Sequence, residues 1–242
     1  MARFFAEEGA AVVITARRTP QLEALRQTLP RPDAVLVLPV DLLDPSAVGP
    51  AAAEALAWRG RIDVLVNNAG MSQRSSVEDT PMEAVRRIME LNFMAPVALT
   101  QAVLPAMRAA GTGQIVAISS VAGYVSTPLR STYAASKRAL NGFCESLRAE
   151  LSDTPIDVTV ICPGYVATEI TAKAVAGDGI YGILDENNAS GLTPDACARG
   201  CVDAVYGRKR EVYIGGREIY SIYLQRWVPG LLARMVPRFV PK

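Results

Sequence analysis

The sequence predicts a doubly wound α/β fold, a parallel sheet with helices on both faces, from three observations. Six short runs rich in β-branched residues recur along the 242 residues, stretches of helical period separate them, and polar or glycine residues cluster around the ends of the runs. Continuous apolar strands need cover on both faces, which a chain alternating strand and helix supplies. Half of the residues are hydrophobic, and the length suits one domain, 1–242, rather than two.

The opening MARFFAEEG reads as the end of a helix, with Gly9 where a left-handed cap is wanted, and leads into the strand AAVVITA at 10–16. A helix that feeds a buried parallel strand normally follows an earlier strand of the same sheet, so the chain is expected to begin inside a βαβ unit. The further strands are AVLVLPV (34–40), IDVLVNN (62–68), QIVAISS (114–120), IDVTVIC (156–162) and EVYIGG (211–216), with long helical stretches at 81–111 and 131–152. Segment 165–193 has no clear period and is expected to be a substrate-covering loop.

From 206 onward eight cationic residues face only Glu211 and Glu218, and the tail 217–242 mixes aromatics, leucines and spaced arginines, cut by Pro229, Pro237 and Pro241. Three roles stay open for it: a peripheral membrane contact, a cover for the substrate mouth, or packing on its own domain or a partner subunit.

Composition removes several classes. A net charge of +1 gives no sign of a nucleic-acid binder, and no stretch offers the roughly 18–20 uninterrupted apolar residues of a membrane span, so a soluble cytoplasmic protein is expected. There is no histidine, and the four cysteines form no CxxC pair, which argues against a zinc or other metal site and rules out a Ser/His/Asp or Cys/His triad.

In a doubly wound sheet ligands bind beyond the carboxyl ends of the strands. Those ends read Arg17-Arg18, Asp41-Leu42, Asn67-Asn68-Ala69-Gly70, Ser119-Ser120 and Pro163-Gly164. Near the start of the 131–152 helix stand Tyr133 and Lys137, whose spacing puts phenol and ammonium on one face. A phenol is a poor acid-base catalyst at neutral pH, and a close positive charge such as Lys137 lowers its pKa toward a useful value. Ser120 ends a strand at the same sheet edge, and Asn92 lies in the apolar run MELNFMAPVAL, where a buried amide must find polar partners.

Together, NNAG at 67–70, Asn92, Ser120, the Tyr133/Lys137 pair and Pro163-Gly164 resemble the short-chain dehydrogenase/reductase family in order and spacing, from about residue 10 to 216. The resemblance implies a Rossmann-like fold and carbonyl/alcohol redox chemistry. It makes Tyr133 the general acid-base, Lys137 the group that lowers its pKa and holds the nicotinamide ribose, Ser120 the residue that positions the substrate carbonyl, and Asn92 the anchor of a water link toward Lys137. It also places Asp41 and Leu42 at the adenine, Asn68, Ala69 and Gly70 behind its ribose, and Pro163, Gly164 and Thr168 at the nicotinamide end. The family chooses its cofactor at the end of the second strand, where an acidic residue favours NAD(H); Arg17 and Arg18 favour NADP(H) instead.

One family feature has no counterpart in these 242 residues: the first strand and its glycine-rich turn, which hold the pyrophosphate. The expectation is therefore an N-terminally truncated domain. It is expected to act on a small, hydrophobic carbonyl compound and to form a homodimer or homotetramer. The alternative is a non-catalytic or crippled dinucleotide-binding scaffold.

Overall fold

The computed structural model describes residues 1–177, 179–180, 182 and 186–239. The expected Pro241 and Lys242 of the basic tail, and part of the 165–193 loop, lie outside the described residues. Helix α1 (Ala2–Glu7) leads into β1 (Val12–Ala16), followed by α2 (Thr19–Thr28), β2 (Val35–Pro39), α3 (Pro45–Arg59) and β3 (Val64–Asn67). Then come α4 (Met82–Met89), α5 (Ala95–Ala110), β4 (Gly113–Ile118), α6 (Ser131–Glu150) and β5 (Ile156–Pro163). The strands β6 (Val175–Ala176) and β7 (Gly179–Ile180) and the short α7 (Glu186–Ala189) interrupt the expected loop, and α8 (Pro194–Tyr206), β8 (Glu211–Ile214), α9 (Tyr220–Trp227) and α10 (Pro229–Met235) complete the chain. All six expected strands are present.

The main strands are parallel throughout, but they form two sheets, β1-β2 and β3-β4-β5-β8, with no ladder described between β1 and β3. Period-two alternation explains how helices cover both faces. In β1, Ile14 packs with Leu22 and Leu29 of the α2 side, whereas Val13 packs on the opposite face with Leu38, Val48 and Ala95. In β4, Ile115 and Ala117 meet Val103, Met107 and Leu140 of α5 and α6, while Val116 meets Cys197 and Cys201 of α8. α3 packs on β2 and on α5, which in turn packs on β3 and β4, so one helical layer spans both sheets.

Between α4 and α5 the chain makes one π-turn, Glu90–Met94, with the Ala95 N–H bonded to Glu90 O. Pro96 has no N–H to offer the carbonyl of Asn92, which removes the ordinary helical bond at that point. By length and mean hydropathy the continuous 82–110 helix could cross a membrane, and 33% of its most apolar window is buried. In this fold it serves as a covering helix, in contact with α3, α6 and the sheet.

The tail packs on its own domain through Ile222 and Leu232, both buried, while Tyr220, Tyr223, Trp227 and Leu231 are exposed. Glu218, just before α9, anchors it: its Oε1 accepts from Tyr165 N at 2.9 Å and Gly216 N at 3.0 Å. A Cβ at Gly164 would stand 1.9 Å from that same oxygen, so the glycine after Pro163 lets the tail carboxylate approach the start of the loop.

Candidate active site

The site is built on the first turns of α6. Tyr133 and Lys137 lie on its buried face, with the Lys137 ammonium 6.0 Å from the Tyr133 ring centroid and donating to Ile118 O, at the end of β4, at 2.8 Å. Burial pushes the Lys137 ammonium down to about 8 and also pushes the Tyr133 phenol up. The Ser120 hydroxyl and then the Arg74 guanidinium pull the phenol back down.

Ser120 is extended, and its Oγ accepts from Ala122 N at 3.1 Å, capping the single 3₁₀ turn Val121–Gly123. Arg138, one position after Lys137, donates to Gly123 O and Tyr124 O, so this turn is held directly on α6. A Cβ at Gly123 would lie 2.8 Å from Asn141 Nδ2. The glycine therefore permits the approach that brings Ser120 and Tyr133 together.

Asn92 is fully buried in the π-turn. Its Oδ1 accepts from Met71 N at 2.9 Å, and its Nδ2 donates to Met71 O at 3.0 Å and to Ser136 Oγ at 2.9 Å. A Cβ on Gly70 would stand 3.2 Å from Asn92 Oδ1 and 3.5 Å from Lys137 Nζ. Asn92 therefore clamps the segment after β3 against α6, beside the ammonium.

Of the expected site residues, Asn68, Gly70, Ser120, Tyr133, Lys137, Pro163, Gly164 and Thr168 line one cavity of about 780 Å³. Ala69 and Asn92 lie beside it without lining it. Arg17, Arg18, Asp41 and Leu42 stand at the ends of β1 and β2, outside it: the two arginines are exposed, Leu42 is buried, and Asp41 accepts from Leu43 N at 3.0 Å. Asp44 caps α3, accepting from Ser46 N. Arg18 approaches the 165–193 loop closely enough to help Lys173, the main influence, hold the Glu169 carboxyl below its usual range.

Sequence reasoning missed Gln73, Arg74, Arg138 and Glu218. In MSQRSS, Ser72, Gln73, Arg74 and Ser75 are all buried. Their only sequence signal is polarity directly after a strand end.

A family model described as short chain dehydrogenase matches residues 1–179. The chain is 41% identical to "Dehydrogenase/reductase SDR family member 7B" of Rattus norvegicus over 244 residues, covering 97% of this chain and 75% of that protein. Among solved structures, a short-chain dehydrogenase from Sphingobium yanoikuyae in complex with NADPH superposes with a TM-score of 0.78 at 30% identity, over 97% of this chain and 87% of the other. A short chain dehydrogenase/reductase from Burkholderia phymatum in complex with NAD gives a TM-score of 0.83 over 93% and 87% of the two chains; at 21% identity it speaks to the fold alone.

Lys137 makes a testable stability prediction. Its folded-state pKa near 8 lies below the ordinary 10.5, so the buried charge costs stability in full below pH 8, and the cost fades as pH rises toward 10.5. Lys137→Met should raise the melting temperature at pH 7, with the advantage shrinking between pH 8 and 10.5. Thermal unfolding across that range checks it, and a Met variant less stable at pH 7 contradicts it.

Proposed function

We propose, from the premise that the chain belongs to the short-chain dehydrogenase/reductase family, that it interconverts a carbonyl and a secondary alcohol, with NADP(H) as hydride carrier. One observation carries the reading: Ser120, Tyr133 and Lys137 face a single cavity, which also receives Asn68, Gly70 and Thr168. That convergence favours an enzyme over a non-catalytic scaffold, which has no need of a buried ammonium or phenol.

The residues present fit a dinucleotide at its nicotinamide end. An ammonium has three donors, and Lys137 gives one to Ile118 O. Lys137 lines the cavity, which supports a role for its remaining donors in holding ribose hydroxyls. The bound nicotinamide supplies or accepts the hydride. Ser120 Oγ donates to the substrate oxygen while Tyr133 gives that oxygen its proton in reduction, or takes it in oxidation. Asn92 acts from behind, holding Met71 and Ser136 in place. Arg17 and Arg18, exposed and with no carboxylate at the end of β1, support NADP(H) over NAD(H). Asp41, Leu42 and Ala69 complete the adenosine side of this reading, and Pro163 and Gly164 the nicotinamide side.

Leu224, Leu232, Met235 and Phe239 form one wall of the cavity, which supports a hydrophobic carbonyl substrate. Four free cysteines, all buried, suit the reducing cytoplasm. Exposed Met82 and Met94 on the α4–α5 face support a homodimer or homotetramer through these helices, and sedimentation as a monomer at micromolar concentration contradicts that.

Two substitutions test the reading. Tyr133→Phe should leave the fold intact and lower turnover of an apolar ketone by about 10²–10⁴-fold, the usual worth of general acid-base assistance; near-normal turnover refutes the assignment. Arg17→Asp should move preference from NADPH toward NADH in parallel titrations. Equal wild-type affinity for the two cofactors refutes the NADP(H) preference.

A further inference from the structure

Four consecutive polar residues, Ser72–Ser75, run buried between the 165–193 loop and the first turn of α6. Buried polar groups persist where they are bonded, so their partners show what the segment holds. On one side its backbone pairs with β6: Val175 N donates to Ser72 O at 3.0 Å, and Arg74 N donates to Val175 O at 2.8 Å. On the other side, the fully buried Gln73 reaches α6, where its Oε1 accepts from Thr132 N at 2.7 Å and Tyr133 N at 3.3 Å.

Those two N–H groups belong to the first helical turn, where no intrahelical partner exists and a local Ser, Thr, Asp or Asn normally serves. Here the N-cap position is Arg130, which makes no side-chain cap. The residue before it, Leu129, is held in the left-handed region at φ 63°, and its carbonyl accepts from Ser75 N at 3.2 Å. The entrance to α6 is therefore fixed from outside, at Leu129 by Ser75 and at Thr132 and Tyr133 by Gln73. The amide's orientation is set as well: the Thr80 hydroxyl donates to Ser76 O and so accepts from Gln73 Nε2, at 2.8 Å.

We infer that Gln73 is a positioning residue that couples the substrate loop to the aim of Tyr133: pairing of Val175 with the strap and capping of α6 by Gln73 are one arrangement, made and lost together. The inference rests on the reading of Tyr133 as proton donor. A local cap would fix the helix on its own loop; a cap borrowed from the strap makes the phenol's position depend on whether the substrate loop is docked. The neighbouring Arg74 belongs to the same segment and favours the phenolate, so displacement of the strap also removes that influence.

The test compares Gln73→Met, which keeps the shape and removes the acceptor, with Gln73→Glu, which keeps an acceptor for both N–H groups. Amide hydrogen exchange is read in peptides covering 131–134 and 174–176. With Met, exchange should quicken in both peptides together, by about tenfold or more for a lost buried hydrogen bond. Its kcat for an apolar ketone should fall about 10- to 100-fold, the range for a misplaced reacting group, with KM for NADPH within about twofold and the pH profile displaced to higher pH. Glu should restore both peptides and most of kcat. Faster exchange at 131–134 alone overturns the coupling, as does a Met variant whose only change is a lower melting temperature. If the wild-type chain turns over no carbonyl compound, the functional reading falls, and the exchange data still decide the coupling.

Discussion

Two side chains that prefer water, the phenol of Tyr133 and the ammonium of Lys137, are buried one turn apart on α6, and the surrounding structure is arranged by the need to satisfy and aim them. The ammonium takes the carbonyl of Ile118 at the end of β4, which ties α6 to the centre of the larger sheet. Asn92 can reach Met71 and Ser136 at once because the π-turn turns it inward. Arg138 draws the Ser120 turn onto the same helix, and Gln73 fixes the helix's first turn. These bonds join α6 to segments far from it in the chain. The site is thus a meeting of strand ends on one helix, with little local structure of its own.

The same logic extends to the cavity's outer wall. Gly164 follows β5 without a side chain, Glu218 fills the space a Cβ would occupy, and its carboxylate takes the N–H of Tyr165 at the start of the 165–193 loop. The tail and the loop are therefore joined at the point where both meet the site. Leu232, fully buried, sets α10 down on the domain, and the apolar wall of the cavity follows from that seating. Gly164 accordingly serves the packing of Glu218.

Much of this was legible in the sequence, for physical reasons. Runs such as AAVVITA and IDVTVIC are continuous and β-branched, so they could be placed as buried strands, and a spacing of four fixed Tyr133 and Lys137 on one helical face whatever the tertiary context. The residues that aim them were not legible. Gln73 and Arg74 look like loop polarity because their partners, at Thr132, Tyr133 and Val175, are brought near only by the fold. Of the two tiny strands in 165–193, β6 is held by Ser72 and Arg74, and β7 by its pairing with β6, rather than by any period of their own.

The central claim is that this cavity carries out hydride transfer to a carbonyl carbon. It is tested most directly by incubating the protein with NADPH deuterated at nicotinamide C4 and a series of apolar ketones and aldehydes, then reading the alcohol products by mass spectrometry. The account predicts an alcohol carrying one deuterium on the carbinol carbon, formed by the wild-type chain. Firm binding of NADPH with no deuterium delivered to any of these compounds would contradict it.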